Sequence, residues 1–122
     1  MHDVMNIVDG YLAIWNETDP ARRRALIAET WSDDASYLDP MMSADGADAL
    51  DGMIAAAQGQ FPGFQFRPLG QPDAHNDRVR FSWALLAPGA DDSVVEGTDF
   101  AVIAADGRLQ SVTGFLDKVP AS

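Results

Sequence analysis

The chain has 122 residues, enough for one domain around a single core, and its 47% apolar and 22% charged content is that of a globular protein. A net charge of -11 repels phosphate backbones and anionic lipid, so neither a nucleic acid nor a membrane surface is expected as a partner. Zero cysteines exclude a disulfide framework and thiolate metal sites. No apolar run is long enough to span a bilayer, and "MHDVMNIVDG" is acidic where a leader peptide is basic, so a cytoplasmic location is the expectation.

From Asp3 to Asn16 the residues Val4, Met5, Ile7, Val8, Tyr11, Leu12, Ile14 and Trp15 recur at three- and four-residue spacing, which predicts an amphipathic helix with a broad buried face. In "TDP", Asp19 can cap a second helix and Pro20 suits its first position; this helix is read over Ala21 to Thr30, ending near Trp31. Its "RRR" at 22 to 24 reads as a solvated helix face among many acids. "SDDASYLDP" reads as a turn and a short strand closed by Pro40. The third helix is read in "SADGADALDGMIAAAQGQF", with Leu50, Met53, Ile54 and Ala57 on one side. Gly52 inside it costs about 1 kcal/mol against alanine.

"FPGF" breaks that helix, and "FQFRP" is a brief strand. After a polar turn at "DAHND", the stretch "RVRFSWALLA" alternates Val79, Phe81, Trp83 and Leu85 against Arg78, Arg80, Ser82 and Ala84. "PGADDS" connects it to a long strand, "VVEGTDFAVIA"; the "ADGR" turn then leads to a last strand, "LQSVTGFLDKV". Helices followed by a run of antiparallel strands predict an α+β architecture, a single domain over 1–122.

Three polar residues do not fit a plain core. On "VVEGTDFAVIA" the face-mates of Asp99 are Val95, Gly97, Ala101 and Ile103, and a lone acid in such a row must hold its proton or find a partner. Asp39 shares a strand face with Tyr37, just before Pro40. Tyr11 is the one hydroxyl on the buried face of the first helix, where a phenol normally seeks a hydrogen-bond partner. Each also has an ordinary alternative: a core tyrosine bonded to a backbone carbonyl, a turn-initiating Asp-Pro, and an acid on the solvent side of a twisted sheet.

The segments "YLAIWN", "WSDDASYLDP" and "GTDFAVI", in this order of elements, resemble the nuclear transport factor 2-like superfamily and, within it, SnoaL-like proteins and Δ5-3-ketosteroid isomerase. The resemblance runs from about residue 3 to residue 119. It implies a cone: three N-terminal helices packed on a strongly curved, mostly antiparallel sheet that encloses one apolar pocket. Ketosteroid isomerases have a "Tyr-x-x-x-x-Asn" setting, matched by Tyr11 and Asn16, and a base before a proline, matched by Asp39 and Pro40. Their second donor to the substrate oxygen, a protonated aspartate in a late strand, is matched by Asp99 with Phe100 after it. Limonene epoxide hydrolase-like members use an Asp-Arg-Asp arrangement; here Gly97 stands two before Asp99, against that chemistry.

The resemblance therefore implies an acid/base enzyme without cofactor, acting on a small apolar carbonyl compound by isomerisation or polyketide cyclase-like enolisation. Asp39 would be the base, and Tyr11 and Asp99 would donate to the enolate oxygen. Trp15, Tyr37, Met53, Phe66, Phe81, Trp83, Val112 and Leu116 would form the walls. His2 is terminal and His75 lies in a turn, so no metal site is expected. Two other classes compete: a non-catalytic binder of a small apolar ligand, and a protein-interaction domain using the outer sheet face. The superfamily also implies a homodimer, and Val94, Phe100 and Val102, opposite the Asp99 row, suit one.

Overall fold

In the computed structural model, three helices lie against one face of a six-stranded curved sheet that does not close. Residues 4–120 are described; His2 and Asp3 lie outside them. The three- and four-residue spacing of α1 (Val4–Asn16) turns Val8, Tyr11, Leu12, Ile14 and Trp15 into one buried stripe. Asp19 caps α2 (Pro20–Thr30), accepting the Arg22 amide at 2.9 Å, with Pro20 at the first helical position.

The arginine run does not form one solvated face. Arg22 and Arg24 are exposed, but Arg23 is buried between α2 and the third helix. Its Nε donates to Asp51 at 2.6 Å, and its Nη1 donates to Gln58 at 3.0 Å and to the Glu17 carbonyl at 3.1 Å. Gln58 in turn donates to the Trp15 and Glu17 carbonyls, so one paired charge ties all three helices together.

No turn separates α2 from β1 (Trp31–Leu38); the strand starts at once and buries Trp31, Ala35 and Tyr37 in alternation. Ser43–Asp45, read in the sequence as the start of the third helix, instead forms β2, antiparallel to β1. Gly46, at φ +85, makes the bend from β2 into α3 (Gly46–Gln60). The third helix forms despite Gly52.

The remaining strands are β3 (Gln65–His75), β4 (Arg78–Leu86), β5 (Ser93–Ile103) and β6 (Leu109–Lys118), and the sheet order is β2-β1-β6-β5-β4-β3. β1 runs parallel to β6 and every other pair is antiparallel, giving a mixed sheet. β3 is longer than the brief strand expected at "FQFRP". A register shift between Leu69 and Asp73, with Gly70 at φ +73, carries pairing on to His75. Only Asn76 (φ 50) and Asp77 then turn the chain. β3 is an edge strand, which is where Pro68 and Pro72 can be tolerated.

Asn16, at the end of α1, donates to the Phe66 carbonyl at 2.9 Å and accepts the Phe66 amide at 2.8 Å, as a neighbouring strand would. This pair fixes the start of β3 to α1. Across the sheet, Asp99 stands opposite Phe81 on β4 and Gly114 on β6, and Val112 stands opposite Tyr37 on β1. The alternation along β5 places Asp99 among inward-facing residues, so the solvent-side alternative does not hold.

Candidate active site

Asp99 is 2% exposed, in the middle of β5. Its Oδ2 accepts the Tyr11 hydroxyl from α1 at 2.9 Å, while its Oδ1 is buried without a hydrogen-bond partner. Burial raises its pKa to about 6, and the negative potential of Asp39 and Asp117 acts in the same direction. The indole of Trp83 and the hydroxyl of Tyr11 favour the charged form; the indole does so without a well-formed hydrogen bond to Oδ1. The Tyr11 hydroxyl is itself pushed well above its ordinary range, first by burial and then by the Asp99 charge, so it stays a proton donor.

Asp39 lies just past β1. Its Oδ1 accepts the Met41 and Met42 amides, each at 2.8 Å, and its own amide donates to the Met42 carbonyl at 2.9 Å. That is an Asp-built turn, as Asp-Pro suggested. Its Oδ2 accepts the Tyr37 hydroxyl at 2.6 Å, and burial raises the pKa of that phenol far above its usual value. The turn reading and the site reading of Asp39 are therefore compatible: the turn points the carboxylate. Each acid is paired with one tyrosine.

Gly114 marks where the two pairs meet. A Cβ at that position would lie 2.8 Å from Asp99 Oδ1, 3.3 Å from Asp39 Cβ and 3.4 Å from the Tyr37 hydroxyl. Three groups from β5, β1 and its following turn thus border a patch of inner sheet face that carries no side chain.

These groups line a cavity of about 340 Å³ that is otherwise largely apolar, at the small end of the range for ligand pockets. Trp15 stands at the hub of its aromatic wall, with ring centroids 5.7 Å from Tyr37 and 5.5 Å from Phe66; Phe66 is 5.3 Å from Trp83. Among the described residues, no Lys, Arg or His lines it.

Residues 8–112 match the sequence profile of the SnoaL-like domain. The chain belongs to the SnoaL-like family. A SnoaL-like protein from Agrobacterium tumefaciens strain C58, provisionally named an isomerase, is 42% identical over 93% of this chain and 96% of its own, with a TM-score of 0.89. A protein from Sinorhizobium meliloti, provisionally named a polyketide cyclase, shares the fold at 19% identity, covering 93% of this chain and 99% of its own with a TM-score of 0.70. An NTF2-like protein of unknown function from Exiguobacterium sp. 255-15 does so at 24% identity, covering 91% and 98%, with a TM-score of 0.71. No curated protein matches the chain. The cone of the nuclear transport factor 2-like superfamily is thus the fold of this chain.

In this SnoaL-like cone, Tyr11, Asp39, Asp99, Trp15, Tyr37, Phe66, Trp83 and Leu116 all border the cavity. Met53, Phe81 and Val112, expected as walls, lie instead in the packed core. Phe81 stands behind Tyr11, edge to face at 5.2 Å, and Val112 is covered where β6 meets β1. Sequence periodicity cannot separate these from wall residues, because both point inward. The mouth was not foreseen: Met41 and Met42 come from the Asp39 turn, Phe61 from the end of α3, and Val119 and Pro120 from beyond β6. Loop and terminal residues carry no periodic signal. Among the described residues, no group of three or more His, Cys, Asp or Glu side chains could hold a metal ion. His75 is exposed at the end of β3.

Proposed function

We propose that this SnoaL-like protein is an acid/base enzyme that enolises a small, uncharged, largely apolar carbonyl compound, with isomerisation or cyclisation as the outcome. The observation that carries the reading is the buried Asp99 Oδ1, unpartnered over Gly114, in the apolar chamber that also holds Asp39. A carbonyl oxygen placed there would accept a proton from the acid form of Asp99, while Asp39 removes a proton from the neighbouring carbon. The carbon–hydrogen bond breaks, its electron pair moves toward the oxygen, and Asp39 keeps the proton for return at another carbon. Tyr11 holds Asp99 in place through its hydrogen bond to Oδ2. The absence of a basic lining residue among the described residues disfavours anionic substrates. The provisional names of the Agrobacterium and Sinorhizobium proteins, an isomerase and a polyketide cyclase, fit this class of chemistry.

The test is protein-dependent exchange of α-protons for deuterium across a panel of small apolar ketones, followed by NMR. Asp39→Asn is expected to slow exchange by about 10²–10⁴-fold while the protein stays folded. Full exchange by that variant removes Asp39 from the role of base.

The protein is further proposed to form a homodimer through the outer face of β5 and β6. There Phe100 is 41% and Phe115 57% exposed, at diagonal positions set by the Phe100–Thr113 and Thr98–Phe115 pairings.

A further inference from the structure

Among the described residues, the cavity is lined by two carboxyl groups and no cationic side chain. The arginines with ion pairs spend their charge elsewhere: Arg22 on Glu17, Arg23 on Asp51, Arg24 on Asp48, Arg78 on Asp77, Arg80 on Asp73 and Arg108 on Asp106. Asp39 has three donors, one from Tyr37 and two from the backbone, but Asp99 has one, and its second oxygen has none. A buried carboxylate oxygen left without a donor is costly, and a ligand that supplies an N–H or a positive charge removes that cost. Trp15, Tyr37, Phe66 and Trp83 line the same cavity, and an aromatic ring whose face meets a cation stabilises it through its quadrupole.

We propose that this pocket binds a small primary ammonium ion on an aryl or alkyl body, with its N–H groups directed at Asp99 Oδ1 over Gly114 and its apolar part against the Trp15–Phe66–Trp83 wall. The proposal does not rest on the enolisation reading: it uses the ionised form of Asp99, and that reading uses the acid form. It requires only the unpartnered oxygen, the aromatic enclosure and the absence of a resident cation. The volume of about 340 Å³ limits the ligand to a compact molecule. The Tyr37 hydroxyl borders the same space and, while donating to Asp39, keeps oxygen lone pairs that can accept from the ammonium group. Groups that set the charge around Asp99 are Tyr11 from α1, Tyr37 and Asp39 from β1 and its turn, and Asp117 from β6; the uncharged indole of Trp83 on β4 also faces it, without a well-formed hydrogen bond. The two tyrosines remain protonated, so the acids dominate and the potential becomes more negative as pH rises.

Benzylamine and its neutral isostere benzyl alcohol test the idea by calorimetric titration of the whole protein. At about pH 8 the amine is expected to bind about tenfold or more tightly than the alcohol. Asp99→Asn should abolish that preference, bringing the two ligands to within about twofold of each other. Should that variant not fold, the wild type still decides: the amine's advantage must shrink at about pH 5, where Asp99 takes up a proton. Equal affinity of the two ligands at about pH 8, tighter binding of the alcohol, no binding of either, or an advantage unchanged by pH each overturns the proposal.

Discussion

Tyr11 and Asp99 are 88 positions apart in the chain, yet the phenol donates to the carboxyl at 2.9 Å inside the core. The bond favours the charged acid, because the donor stabilises the negative oxygen more than the neutral one. Tyr11→Phe keeps the ring packing against Phe81 and Trp31 but removes this donor. The Asp99 titration is then expected to move upward from about 6, read by carboxyl-carbon NMR. Above the titration, the variant should lose about 1.5–3 kcal/mol of stability, the usual contribution of a hydrogen bond to a charged group. A midpoint that stays or falls would mean that the bond does not act on Asp99.

Asp99 itself should cost the protein stability at neutral pH. Its pKa is raised from 3.8 to about 6, so between those values the folded protein binds more protons than the unfolded chain. Relative stability is therefore fully present below about pH 3.8 and is lost as pH rises through about 6. The interval corresponds to about 3 kcal/mol at most. Asp99→Asn removes the ionisation, and its unfolding free energy relative to wild type should climb across that pH window. A urea-unfolding series from about pH 4 to about pH 8 checks this; a parallel pair of curves would contradict it.

How far the sequence revealed this site depends on what each residue type signals. Asp99 was legible because a period of two leaves an acid alone in an apolar row, and Tyr11 because a period of 3.6 leaves one hydroxyl on a buried face. Order of elements and short motifs led to the cone. Arg23 was not legible: three consecutive arginines look alike until a neighbouring helix chooses one, and that choice is a tertiary contact with Asp51 and Gln58. β2 was hidden because Ser43–Asp45 has no strand pattern of its own and pairs only because β1 offers an edge. Phe81 and Val112 were placed in the wall because inward direction is periodic while depth is not.

The outer face of β5 and β6 carries the assembly prediction. Phe100 and Phe115 are exposed there, with Thr98 and Thr113 as their cross-strand partners. Sedimentation of the wild type is expected to give a dimer. Phe115→Asp puts a charge at the centre of that face and should shift the species to monomer without changing the circular dichroism spectrum. A monomeric wild type at high concentration would refute the assignment.

Gly114 offers the sharpest structural test, because the same chemical change has opposite consequences at two glycines. At Gly52, on α3, an added Cβ meets nothing within 4 Å. Gly52→Ala should therefore stabilise the protein by about 1 kcal/mol through helix propensity alone. At Gly114 the added carbon would stand 2.8 Å from Asp99 Oδ1, and the carboxyl has little freedom to retreat while Tyr11 grips its other oxygen. Asp39 Cβ and the Tyr37 hydroxyl stand 3.3 and 3.4 Å from the same point. Gly114→Ala should destabilise by about 1–3 kcal/mol, the ordinary cost of overpacking. It should also reduce α-proton exchange by at least about tenfold, since it occupies the space in which the carbonyl oxygen would lie. Paired denaturation curves and exchange rates on the two variants check both halves. A Gly114→Ala protein with wild-type stability and exchange would show that neither acid works over that glycine.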